Sequence, residues 1–238
     1  MATFVLIPGG WHGAWAYRAV ADALQARGHT PVPVTLTGVG DRAHLAHPAV
    51  NLDTHIDDVL ACLDQADLHD VVLVGHSYGG MVVSGVADRA PQRVSGLVYV
   101  DAYVPADGDS CWTLTTDAFR EVFAAGAKAD GYSVQPPPRL DPRATAHPLA
   151  SLLQAIRLRH PMRHRRAYVY MTEWRASPFT QLYEKLRTDP EWTVHTMPTS
   201  HNVLTTMPAE LAEILHRTTD PAAGRGGIGG GQGQPMSW

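Results

Sequence analysis

Short apolar runs alternate with amphipathic stretches from the first residues onward: TFVLIP, then AWAYRAVADALQARG, then PVPVTL, then LDTHIDDVLACLDQA. The rhythm is β-α-β-α. The apolar runs are continuous, with no polar residue at every second place, as happens when both faces of a parallel sheet are covered by helices. In the first amphipathic stretch Val20, Ala23 and Leu24 share one face, while Arg18, Asp22, Gln25 and Arg27 lie elsewhere. The same alternation continues through DVVLVGHS, YGGMVVSGVADRA and VSGLVYVDAYVP, and then stops for about sixty residues.

Within residues 105–165 lie PADGDS, QPPPRLDPRATAHP and helical pieces such as LASLLQAIRLRH, a composition that predicts a cap inserted over one end of the sheet. The sheet pattern returns with RRAYVYM, a helix at FTQLYEKLR, the strand WTVHTM and a helix at PAELAEILHRT. The expected division is therefore a core of 1–104 and 166–219, a cap of 105–165, and a glycine-rich flexible tail of 220–238.

Composition narrows the function. With 238 residues, 45% hydrophobic and 18% charged, the chain can bury one large core. A net charge of -4 offers no basic face for nucleic acid. The opening MATFVLIPGG lacks a basic n-region and its apolar run is too short for a leader or a membrane span, so a cytoplasmic protein with no membrane partner is expected. Two cysteines, Cys62 and Cys111, suggest neither a disulfide framework nor a metal knuckle.

The strongest chemical signal is VVLVGHSYGGMVV, residues 71–83. G-x-S-x-G alone is weak. Here an apolar strand runs straight into a helix with Ser77 at the turn, the context of a nucleophile elbow. Gly75, Gly79 and Gly80 would give the turn its clearance, and the helix N-terminus would favour negative charge beside the hydroxyl. A base is needed, and of 13 histidines His201 stands after the last strand and before the last helix. His76 and His195 are read as structural. Two amides must hold the oxyanion: Tyr78 N–H, and Gly10 or Trp11 N–H from the loop IPGGWHGAW, where His12 could touch substrate or simply pack.

Two carboxylates compete to orient His201. Asp101 interrupts the apolar run LVYVDAYVP, so its charge needs a buried hydrogen-bonding partner. Glu173 follows the strand YVYM, beside Arg175, where solvent can satisfy it. The physics favours Asp101, with Glu173 as the alternative. RLRHPMRHRR gathers Arg157, Arg159, Arg163, Arg165 and Arg166, either to attract an anionic substrate or as a solvated face.

IPGGWHGAW, TLTGVGDR, GHSYGG and TSHNVLTTMPAELAEIL together resemble the α/β-hydrolase superfamily over residues 3–216. Within it, the chain is similar to the compact branch of plant methylesterases, S-type hydroxynitrile lyases and small bacterial esterases. The resemblance implies a mostly parallel sheet flanked by helices, with a cap after the strand ending near Asp101. It implies no metal and no organic cofactor, and a small ester as substrate. The superfamily places its acid after either of the two strands in question, and most members place it near Glu173. Two departures stand out: Pro8 precedes Gly9 where plant relatives have histidine, and Asn202 replaces the lysine that serves cyanide release in the lyases, which disfavours cyanohydrin cleavage. The expected activity is ester hydrolysis through an acyl-enzyme. Lyase or acyl-transfer chemistry on the same residues, or a ligand-binding receptor, are the alternatives.

Overall fold

Apolar residues in each central strand divide by parity between two layers of core. In β1 (Thr3–Ile7), Phe4 and Leu6 join one layer and Val5 and Ile7 the other. β3 (Val71–His76) does the same, with Val72 and Val74 against Val71 and Leu73. Each such fully buried aliphatic side chain contributes about 1.5–3 kcal/mol. These strands must therefore be covered on both sides.

The computed structural model describes residues 1–138 and 140–219, so the stretch 220–238, expected as a tail, lies outside the described residues. After β1 come α1 (Arg18–Ala26), β2 (Thr30–Pro33), α2 (Leu52–Gln65), β3, α3 (Gly79–Arg89) and β4 (Val94–Val100). Between β4 and β7 (Arg165–Met171) the chain leaves the sheet. There it forms α4 (Cys111–Leu114), α5 (Asp117–Gly126), the paired strands β5 (Ser133–Val134) and β6 (His147–Pro148), and α6 (Leu149–Leu153). It ends with α7 (Thr180–Leu186), β8 (Trp192–Met197), α8 (Val203–Thr206) and α9 (Pro208–Thr218). The sheet order is β2-β1-β3-β4-β7-β8, and every neighbouring pair is parallel.

Local chemistry explains the boundaries. Asn51 caps α2 by accepting from Thr54 N at 3.1 Å, in a reciprocal capping box. β2 carries Pro31 and Pro33 and sits at the sheet edge, where the missing donors do least harm. On α1, Val20, Ala21 and Leu24 are buried, and the partly buried Ala23 packs against the same core.

One expected helix is shorter than its sequence suggests. LASLLQAIRLRH is helical only over Leu149–Leu153. Beyond it the backbone bonds to distant partners: Ile156 N donates to Asp109 O at 2.7 Å, and Arg159 N and His160 N both donate to the buried Asp88 carboxylate at 2.8 Å. Tertiary acceptors there outcompete helical ones. Among the described residues no helix is long and apolar enough to cross a membrane.

From β1 the chain passes through α1 to β2 on one side, and from β2 through α2 it crosses to β3 on the other side of β1. This places a topological switch point between the carboxyl ends of β1 and β3, the crevice where open parallel sheets bind ligands. Ser77 and the loop at residues 8–13 both open there.

Candidate active site

Ser77 follows β3 directly, with φ of +53°, a left-handed conformation that a non-glycine residue holds only when its surroundings enforce it. Three backbone bonds do so. Ser77 N donates to Val100 O at 3.2 Å, and Ser77 O accepts from Tyr103 N at 3.2 Å and Gly80 N at 3.1 Å. The flanking glycines are required by proximity: a Cβ on Gly75 would lie 2.5 Å from Gly79 O, and one on Gly80 would collide with the Tyr103 carbonyl. Gly80→Ala is therefore expected to destabilise the fold by about 3 kcal/mol, lowering Tm by roughly 6–12 °C for a chain of this size. A thermal melt with Tm unchanged would contradict this packing.

Asp101 comes immediately after β4, also left-handed at φ +44°, with its side chain fully buried. Its Oδ2 lies 2.6 Å from His201 Nδ1, while Oδ1 has no partner among the described residues. The carboxylate oxygen must accept, so Nδ1 carries the hydrogen and Nε2 keeps its lone pair. Glu173 is exposed, and its backbone N donates to Thr199 O at 3.0 Å. The structure thus brings Asp101 and His201 together and leaves Glu173 outside the pair.

His201 is held from three sides. His76 Nε2–H donates to the His201 carbonyl at 3.0 Å, and the two rings lie 4.5 Å apart. On the other side the Trp174 ring is 4.2 Å away. Burial lowers the pKa of His201, with the nearby His12 adding to the effect, so the ring is neutral at neutral pH and able to take a proton. Burial pushes Asp101 the other way, upward.

The amides that could receive an oxyanion are distinguishable. Among the described residues neither Gly10 N–H nor Tyr78 N–H has an acceptor. Trp11 N–H is already engaged, donating to His147 Nδ1 at 3.3 Å. The Tyr78 ring is fixed from behind: His55 Nε2–H donates to Thr37 O at 2.8 Å, leaving Nδ1 to accept the Tyr78 hydroxyl at 2.7 Å. His12 packs inward, donating from Nδ1 to Gly10 O at 2.6 Å. The loop TLTGVGDR is anchored by Asp58, which accepts from Thr37 N, Thr37 Oγ1 and Arg42 Nη1 at 2.7–2.9 Å.

Above Ser77 a pocket lined by Gly10, Trp11, Tyr78, Tyr103, Phe119, Phe123, His147 and Leu152 holds about 30 Å³, room for a water or two. Trp112, an aromatic residue of the insertion, does not line it. Sequence reading missed Tyr103, His147 and Leu152 in the wall and Trp174 on His201. His147 and Leu152 come from the insertion, where no periodic pattern announces orientation. The basic run lies elsewhere. Arg159 and His160 meet Asp88, nine residues along α3 from Gly79, roughly 14 Å down its axis. Arg157 and Arg159 share a surface hollow with Asp53, Asp57 and Asp88, a charge-balanced face.

The chain belongs to the alpha/beta hydrolase family, whose model matches residues 4–217. It is a carboxylic ester hydrolase, the class to which its curated relatives belong. Over 90% of its length it is 40% identical to the carbendazim hydrolyzing esterase of Nocardioides sp. (strain SG-4G), 98% of which is covered. Methylesterase 10 of Arabidopsis thaliana is 32% identical over 103 residues, 43% of this chain and 38% of that protein. In fold the chain is similar to an extracellular alpha/beta-hydrolase from a Paenibacillus species, with a TM-score of 0.79 at 24% identity, covering 90% of this chain and 98% of that one.

Proposed function

We propose that Ser77 is the nucleophile, His201 its general base, Asp101 the residue that orients His201, and Gly10 and Tyr78 N–H the oxyanion hole. The single observation that carries this reading is the 2.6 Å bond from His201 Nδ1 to the fully buried Asp101, one strand over from the strained Ser77. Ser77 Oγ attacks the ester carbonyl while His201 Nε2 takes its proton, and the carbonyl oxygen becomes negative between the two free amides. His201 then passes the proton to the departing alcohol. Water, deprotonated by the same nitrogen, attacks the acyl-enzyme and releases the acid, restoring Ser77.

For substrate, we infer a small ester or carbamate carrying a flat aromatic group. The aromatic wall of Trp11, Tyr103, Phe119 and Phe123 supports it, as does the 40% identity to an esterase that acts on carbendazim. Since about 30 Å³ is far below a typical ligand site of 300–1,000 Å³, the insertion carrying Phe119 and Phe123 acts as a cap that shifts to admit substrate. The two free cysteines support a reducing, cytoplasmic setting.

The test is direct. Purified protein should hydrolyse p-nitrophenyl acetate and carbendazim, and a fluorophosphonate should label it once per chain, on the peptide containing Ser77. Labelling at another residue would overturn the assignment.

A further inference from the structure

Gly9 and Gly10 form the most conformationally free pair in the loop that carries one oxyanion donor, and free backbone makes a poor preorganised site. Two histidines remove that freedom. His12 Nδ1–H donates to Gly10 O at 2.6 Å, and His12 N donates to Gly9 O at 3.4 Å. C=O and N–H of one trans peptide point in opposite directions, so holding Gly9 O toward His12 turns Gly10 N–H away from it. On the far side, Trp11 N–H donates to His147 Nδ1 at 3.3 Å. The Gly10–Trp11 peptide is thus gripped at its oxygen by His12 and at its hydrogen by His147.

The second grip comes from the insertion, 136 residues away in sequence, and it does not act alone. Trp11 Nε1–H donates to Val134 O at 2.9 Å, and Trp11 O accepts from Thr145 N at 3.0 Å. Every polar group of Trp11 is bonded to the hairpin region of residues 134–147, and its φ of +68° is held there. His147 is itself locked in one tautomer. Its Nδ1 accepts, so its Nε2–H donates to Ser151 Oγ at 2.9 Å, and that hydroxyl donates to Pro148 O at 2.7 Å.

We propose that His147 and His12 are positioning residues for ester hydrolysis: they clamp the Gly10–Trp11 peptide from the insertion and the core respectively, and so aim Gly10 N–H at the developing oxyanion. By occupying Trp11 N–H, His147 also determines which of two adjacent amides is left for the substrate. The inference rests on Ser77 being the nucleophile.

The test compares two replacements of His147, assayed with p-nitrophenyl acetate and with an arylboronic acid that forms a tetrahedral adduct on the serine. His147→Phe keeps a ring and loses the acceptor. His147→Asn loses the ring but sets an amide oxygen where Nδ1 was. The Phe variant should lose about 10- to 100-fold in kcat with KM changed less than about threefold, since the interaction is made mainly in the transition state. Its boronate inhibition constant should rise in parallel. The Asn variant should stay within about fivefold of wild type in both. Equal kcat in the Phe variant and wild type, equal losses in both variants, or a loss carried by KM would overturn the proposal. If the Phe variant does not fold, His12→Phe and His12→Asn are compared by the same criteria, the asparagine N–H replacing Nδ1–H. Full activity in Ser77→Ala would instead overturn the nucleophile assignment, so the two failures are distinguishable.

Discussion

Ser77→Ala is expected to lose about 10⁴-fold or more in kcat toward p-nitrophenyl acetate, with Tm nearly unchanged. The replacement keeps Cβ, so the left-handed backbone at +53° experiences the same restraint. The three bonds that hold this turn are all backbone, to Val100, Tyr103 and Gly80, and they survive the change. Only the hydroxyl is lost, at a half-buried position, so stability should move by no more than about 0.5 kcal/mol. What activity remains would come from the free amides and from binding. Steady-state kinetics with a parallel thermal melt decides the matter, and an unchanged kcat would refute Ser77 as nucleophile.

Asp101→Asn should cut turnover by roughly 10²- to 10⁴-fold, whereas Glu173→Gln should cost less than tenfold. The difference follows from what each carboxylate touches. Asp101 is fully buried and accepts from His201 Nδ1 at 2.6 Å, which leaves Nε2 with a lone pair. An asparagine amide in that place can donate to Nδ1 and drive the proton to Nε2, where it blocks the uptake of the serine proton. Glu173 stands exposed, so losing its charge perturbs little. Measured side by side, the reverse pattern would transfer the orienting role to Glu173. Trp174, beside Glu173 in sequence, has its ring 4.2 Å from His201, so a modest effect at Glu173 through its neighbour is consistent with the proposed roles.

The chain's own pattern determined the sheet and the helices on it. β3 and β7 begin or end within a residue of DVVLVGHS and RRAYVYM, because a strand covered on both faces must be largely apolar and such runs stand out against polar helix faces; β8, at the half-exposed sheet edge, still matches WTVHTM. Asp101 was legible for a related reason: one carboxylate inside an apolar run demands a partner, wherever that partner comes from. What no local pattern could decide is how residues 101–164 lie on the sheet. Two of their helices, α4 and α6, are short, and past Leu153 the backbone donors are satisfied by Asp88 and Asp109 O instead of by helical carbonyls. The grip of His147 on Trp11 spans 136 residues, and under the proposed roles the choice between Gly10 and Trp11 as amide donor depends on it. Hydrophobic periodicity reports which face of an element is buried. It carries no information about which distant hydrogen-bond acceptor will meet that element, because such partners are brought together only by the packing of the whole chain.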